Sequence, residues 1–183
     1  NVVAACASGL TAVHAARCAM LNNPQLRTLL VVACEASLLP MFIHGYRRLG
    51  VLPPLTQRGY RGRPLDRRRC GFMLAEQAAA VLLLRVDHSE PLPPDQIELL
   101  DTAIACEAYD LVRSRPQMTA MSHIVQRLVQ SGPISFLHPH APGTAEHDAR
   151  ELAVCAAALE KSATGVSDLY ACKGALGHGL GTA

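Results

Sequence analysis

Apolar positions along the chain fall into short blocks separated by glycine, proline and polar runs. Residues 1–6 (NVVAAC) read as a strand end that gives way to small residues. Apolar positions then continue to about Met20 or Leu21, predicting a helix that Asn22-Asn23-Pro24 ends. Residues 28–34 (TLLVVAC) are a continuous apolar run of strand length, suited to a sheet covered on both faces. Residues 38–55 predict irregular or short helical structure, 57–69 a polar loop rich in arginine, and 78–86 (AAAVLLLRV) another buried strand.

Pro91-Leu92-Pro93-Pro94 then interrupts the pattern and predicts a linker. Beyond it, 97–106 suggests a strand and 117–131 a helix with apolar positions at Met121, Ile124, Val125, Leu128 and Val129. A short strand is expected over 133–137 and a helix over 148–161, with Asp148 and Glu151 in its acidic first turn. A strand over 167–172 and a glycine-rich turn into a last helix complete the pattern. Strands alternating with helices indicate a layered α/β fold with sites at strand ends. The expected organisation is a first half over 1–90, a linker over 91–96 and a second half over 97–183.

Half the residues are hydrophobic and tryptophan is absent, so the core must be aliphatic and rich in alanine. A net charge of +2 gives no global attraction to nucleic acid. Seven scattered cysteines without a CxxC pair argue for reduced thiols in a cytosolic compartment. Neither a signal peptide nor an apolar run of membrane-spanning length is visible. The chain opens in an apolar strand pattern without methionine and stops at Gly-Thr-Ala, so an internal piece of a longer protein is expected.

Cys6 lies where a strand passes into a helix, and the helix dipole favours its thiolate. That effect, about 1 kcal/mol, lowers a thiol pKa by somewhat under one unit, so activation needs partners as well. The alternative is a small buried hydrophobe. His140 and His178, with Lys173, offer such partners on glycine-containing turns. His138, His140 and His147 could instead ligate zinc, or be structural. Arg58, Arg61, Arg63, Arg67, Arg68 and Arg69 surround Asp66, either as a solvated surface or as a docking patch for an acidic partner.

Four segments, in order, resemble motifs of the β-ketoacyl synthases, the condensing enzymes with the thiolase fold. AACASG at 4–9 is similar to TACxSG, and RPLDRRRCGFMLAEQAA from Arg63 is loosely similar to RPFDxxRDGFxxGEGAG. HPHAPGTAEHD at 138–148 resembles NAHGTxTPxxD, and CKGALGHGLGTA at 172–183 resembles TKxxxGHxxGAA, in the manner of the type II synthases of fatty-acid biosynthesis.

The resemblance implies a thiolase-like layered α/β fold of mixed sheets and helices, incomplete at both ends. It implies that Cys6 takes an acyl chain as thioester, and that His140 and His178 hold the malonyl thioester carbonyl through decarboxylation. Lys173 would order the site, Asp148 and Glu151 would support it, and Phe42, Arg47 and Thr144 would serve substrate binding. No metal or organic cofactor is implied, since phosphopantetheine arrives on an acyl carrier protein. The implied partners are that carrier, malonyl and acyl thioesters, and a second copy in a homodimer met through 28–34; neither nucleic acid nor membrane is expected. A polyketide ketosynthase and a non-catalytic partner subunit are the alternatives. Departures from the motifs stand at Ala141-Pro142, Cys70 and Gln77-Ala78. The family's late GFGG turn lies beyond Ala183, so the chain alone is expected to be inactive.

Overall fold

The computed structural model describes residues 1–57, 59–86, 91–110, 113–161 and 168–182. Arg58, Ser167 and Ala183 therefore lie outside the described residues. A tight 3-10 turn over Ala5–Ala7 leads into helix α1, Ser8–Asn22. Ser8 ties that junction together: its hydroxyl accepts from the Ala4 N–H at 2.8 Å and donates to the Ala5 carbonyl at 2.7 Å. The helix ends where Asn23 turns extended and its side chain accepts from the Gln25 N–H, an asparagine turn that competes with further helix.

Helix α1 packs on strand β1 (Thr28–Glu35), which pairs antiparallel with β2 (Gln77–Leu84), in register from Thr28 opposite Leu84 to Glu35 opposite Gln77. Both strands fall where the apolar runs predicted them, but the expected cover on both faces is not observed. Val31 is buried, whereas Leu30 and Val32 are 59% and 60% exposed, and Val81, Leu82 and Leu84 are exposed too. With two strands and α1 against it, the sheet leaves its other face open, and an apolar run alone does not reveal how many layers will cover it. Between the strands, helix α2 (Pro40–Arg48) starts on a proline, which suits a first turn whose N–H would go unpaired.

The strand expected over 97–106 is absent among the described residues. That segment instead lies along α1, held by side chains: His14 Nδ1 meets Thr102 Oγ1 at 2.8 Å, and Arg17 donates to the Leu100 carbonyl and pairs with Asp101. Its apolar residues made it read as a strand, yet Ile97 is 98% exposed.

Helix α3 (Thr119–Leu128) runs into a 3-10 turn, Val129–Ser131, and packs against α4 (His147–Lys161), whose Cys155 and Ala158 are buried. The two remaining expected strands shrink to β3 (Phe136–Leu137) and β4 (Asp168–Leu169), a parallel pair. Helix α5 (Lys173–Leu176) is a single turn inside the glycine-rich segment, and a 3-10 turn, Leu180–Thr182, stands where the last helix was expected.

The two cysteine- and histidine-bearing ends meet backbone to backbone. A β-carbon on Gly9 would stand 2.9 Å from the Gly181 carbonyl oxygen, closer than real side chains come, so glycine is required on α1 at this contact. Among the described residues no helix is long and apolar enough to cross a membrane.

Candidate active site

Cys6 sits in the 3-10 turn directly before α1, after Ala5 in the left-handed region at φ 48°. An alanine there is strained by about 1–2 kcal/mol, held by the Ser8 bonds and the opposing 180–182 turn. The turn lifts the thiol out of the helix line toward two imidazoles. Cys6 Sγ, one ring nitrogen of His140 and one of His178 all lie within 4.8 Å of one another.

His178 reaches this position through a β-bridge. Its N–H donates to the Met73 carbonyl at 2.7 Å and its carbonyl accepts from the Ala75 N–H at 3.1 Å. Gly177 precedes it at φ 77°, a turn that favours glycine. The imidazole is 1% exposed, and neither ring nitrogen has a hydrogen-bond partner among the described residues. Phe72 packs edge-on against it at 4.8 Å and is followed by Tyr46 at 6.0 Å. Burial, and then Lys173, push the His178 pKa down to about 4.

His140 is placed by its backbone. Its N–H donates to Glu151 Oε1 at 2.6 Å, and the next N–H, of Ala141, donates to Oε2 at 2.7 Å. Asp148 does the same one turn earlier on α4, accepting from the N–H groups of Gly143 at 3.0 Å and Leu65 at 2.8 Å. Spaced three apart on one face of the helix, these two buried carboxylates fix 140–143 and anchor the arginine-rich loop to it. Burial, then Lys173, His147 and His178, drive the His140 pKa to about 2. The His140 ring stands edge-on to those of His178 and His147, 5.2 Å from each.

Lys173, 4% exposed, opens α5. Burial lowers its pKa, while Cys172, Glu151, Cys6 and Asp148 pull it back. The expected thiolate at Cys6 needs correction: burial raises the thiol pKa and outweighs the help from Lys173 and the local backbone. The dipole argument omitted desolvation, which is the larger effect. The resting site is therefore a neutral thiol facing two neutral imidazoles. Such a set supplies a nucleophile whose proton can leave with the thiol it displaces, and two ring N–H groups for an anionic oxygen.

The structure thus gathers Cys6, His140, His178 and Lys173, with Asp148 and Glu151 behind them. Phe42, 40% exposed, and Arg47 lie on α2 and take no part in the contacts that hold this cluster. Thr144 contributes its carbonyl to the Arg69 guanidinium at 2.9 Å. The alternative ligand set of His138, His140 and His147 does not converge: His138 meets Cys172, and His147 pairs with Glu151 at 3.7 Å. Among the described residues Cys6, His140 and His178 are the group at metal-ligand spacing.

The arginine patch divides. Arg69 is spent inside the protein on the carbonyls of Asp66, Thr144 and Ala145, and Arg63 lies over the Tyr60 ring. Arg61 and Arg67 remain exposed. Phe72 and Tyr46 gained no role from the sequence, although the Gly-Phe pair of their motif was legible; an aromatic stack across segments carries no local spacing to find it by. Each departure has a structural counterpart. Ala141 keeps a left-handed turn at φ 33°, and Gln77 Nε2 donates to the Leu176 carbonyl at 3.0 Å, tying β2 to the glycine-rich segment. Cys70 contacts Gln57 through its sulfur at 3.7 Å.

The same fold occurs in solved structures. A ketosynthase from the bacillaene synthase of Bacillus subtilis 168 superposes with a TM-score of 0.83 at 20% identity, over 100% of this chain and 33% of that one. The ketosynthase complexed with its acyl carrier protein in a type II polyketide synthase gives 0.79 at 23% identity, over 100% and 46%. These likenesses show a thiolase-like α/β fold. Residues 1–89 match the N-terminal domain of beta-ketoacyl synthases and 97–183 the C-terminal domain, so the chain belongs to the β-ketoacyl synthase family. Among its relatives, 3-oxoacyl-[acyl-carrier-protein] synthase I of Arabidopsis thaliana chloroplasts is 26% identical over 81% of this chain and 33% of its own length. 3-oxoacyl-[acyl-carrier-protein] synthase 2 of Mycobacterium leprae is 27% identical over 98% and 44%. A putative polyketide β-ketoacyl synthase of Streptomyces rimosus is 25% identical over the same shares. The chain thus spans between a third and under half the length of these relatives.

Proposed function

We propose that this chain carries the chemistry of a 3-oxoacyl-[acyl-carrier-protein] synthase in fatty-acid biosynthesis. The convergence of Cys6 Sγ with the unpaired, buried ring nitrogens of His178 and with His140 is the observation that carries it. In the first half-reaction Cys6 Sγ attacks an acyl thioester; the new C–S bond replaces the donor's, and the thiol proton leaves with the donor thiol. In the second, malonyl thioester loses CO2. Neutral His140 and His178 donate their N–H groups to the enolate oxygen, and the α-carbon attacks the acyl-Cys6 carbonyl. The C–C bond forms as the Cys6 thiolate departs, to be protonated again. Burial holds the two rings neutral, and the charge of Lys173 adds to that effect.

Both thioesters would arrive on the phosphopantetheine arm of an acyl carrier protein, with exposed Arg61 and Arg67, together with Arg47, as the cationic side of that encounter and no other cofactor required. A homodimer formed along β1, whose outward face is apolar, and a reducing cytoplasmic setting for seven free thiols belong to the same proposal. A polyketide synthase would use the same residues with a different acyl donor, and the Streptomyces rimosus relative favours including that donor class in the test.

The experiment is intact-mass spectrometry of the protein from its source, before and after incubation with acyl-carrier thioester donors, beside a Cys6→Ala control. One acyl adduct that the control lacks is expected. Absence of an adduct in the unmodified protein, or an equal adduct in the control, would overturn the proposal. The donor accepted separates the fatty-acid from the polyketide reading.

A further inference from the structure

A second thiol stands next to the cluster and plays no part in the chemistry above. The parallel pairing of β3 with β4 sets Phe136 opposite Asp168 and Leu137 opposite Leu169, and the Tyr170 N–H continues the ladder to the Leu137 carbonyl at 3.1 Å. The next residues in that register are His138 and Tyr170, whose rings stack at 5.9 Å with 27° between planes. Held this way, His138 turns Nε2 toward Cys172, two residues along. The ring nitrogen is 3.2 Å from Cys172 Sγ, and the Cys172 N–H also points at it, at 3.5 Å. A backbone N–H has no acceptor role, so Nε2 presents its lone pair to this group, and the tautomer carries its proton on Nδ1. The thiol therefore faces a base, not another donor.

Two features suit the pair to reaction in water. His138 and Tyr170 are exposed and Cys172 is half-buried, so small solutes reach the sulfur. Burial and the adjacent Lys173 lower the His138 pKa, so the ring is neutral and free to take a proton at neutral pH. Both positions depart from the quoted motifs, which have asparagine and threonine where this chain has His138 and Cys172. The site is separate from Cys6, and it stands or falls independently of the condensing activity.

We infer that Cys172, with His138 as its base, is a thiol–disulfide exchange site for low-molecular-weight disulfides of the glutathione class. Nε2 takes the thiol proton as Sγ attacks one sulfur of the disulfide. The S–S bond of the small molecule breaks, a mixed disulfide forms on Cys172, and the released thiolate collects the proton. Cys172 is oxidised and one half of the small disulfide is reduced, with no further oxidant needed.

The test uses oxidised glutathione on Cys6→Ser protein, so that the other thiol of the cluster is silent, with peptide mapping of each cysteine over time. Exposed Cys106 acts as the control within the same molecule. Cys172 is expected to form its mixed disulfide about tenfold faster than Cys106, as a positioned base allows. His138→Gln should bring it to the control rate while Cys106 stays unchanged, which also shows that the variant is folded. A Cys172 rate no higher than that of Cys106, or a rate indifferent to His138→Gln, would overturn the assignment.

Discussion

Glu151 carries two backbone N–H groups on one carboxylate, and its removal gives a sharp forecast. The side chain is 2% exposed and accepts from His140 at 2.6 Å and Ala141 at 2.7 Å. Hydrogen bonds to a buried charge are worth about 1.5–3 kcal/mol each, and Ala141, fully buried, has no route to water. Glu151→Ala should therefore cost about 3–5 kcal/mol. Glu151→Gln keeps one acceptor but sets its NH2 group against the other N–H, so about 2–3 kcal/mol is expected. Urea unfolding checks this, with midpoints lower by about 1–2 M for the alanine variant at ordinary slopes. A second readout separates support from mere stability. Because Glu151 positions His140 and not Cys6, Glu151→Gln should slow malonyl decarboxylation more than acylation of Cys6. Glu151→Ala unfolding within about 0.5 kcal/mol of the unmodified protein, or Glu151→Gln slowing both half-reactions equally, would refute the reasoning.

Three further outcomes follow from the same geometry. Ala141→Gly removes left-handed strain of about 1–2 kcal/mol at φ 33° and adds unfolded-state entropy of about 0.4–1 kcal/mol. A net gain of up to about 1 kcal/mol by urea titration is expected, and a loss would contradict it. The pKa of His178 falls from 6.5 to about 4 and that of His140 to about 2, so the unfolded chain binds more protons than the folded one below pH 6.5. Stability from these groups is present above pH 6.5 and is lost as pH falls toward 4, about 3 kcal/mol for His178 alone; His178→Gln should flatten that part of the stability–pH curve. Gly9→Ala places a methyl 2.9 Å from the Gly181 carbonyl oxygen, and should slow Cys6 alkylation by iodoacetamide or unfold the protein by about 1–3 kcal/mol; unchanged rate and stability together would count against the close contact.

The residues of the cluster were legible because each stands in a short motif, and the chemistry of thiol and imidazole needs few companions. Cys6, His140, His178 and Lys173 were named from those motifs, and the structure sets ligand atoms of Cys6, His140 and His178 within 4.8 Å of one another, with Lys173 buried beside them. The electrical state of Cys6 was not legible, since desolvation depends on what encloses the turn and leaves no mark on residues 4–9. Strand positions over 28–35 and 77–84 were readable from apolar runs, whereas their exposure was not, because exposure belongs to the layers around a sheet. Residues 97–106 misled for a related reason: apolar content without a ladder partner does not make a strand, and His14 and Arg17 claimed the segment for α1. Phe72 and Tyr46 went unassigned because the stack of Tyr46 on Phe72 and Phe72 on His178 joins three separate segments.

The abutment of Gly9 against Gly181 has a consequence for engineering and descent. Chain swaps between relatives are most naturally cut near the proline-rich stretch at 91–94, which separates the two partners of that contact. A hybrid built there inherits one glycine from each parent, and it tolerates the join only if both parents kept the backbone-to-backbone seam. Variation at position 9 and variation at position 181 are thus not independent choices: a side chain gained at one has to be met by a retreat at the other. Libraries that shuffle the first segment against the second should be filtered on this pair before any residue of the reactive cluster is considered.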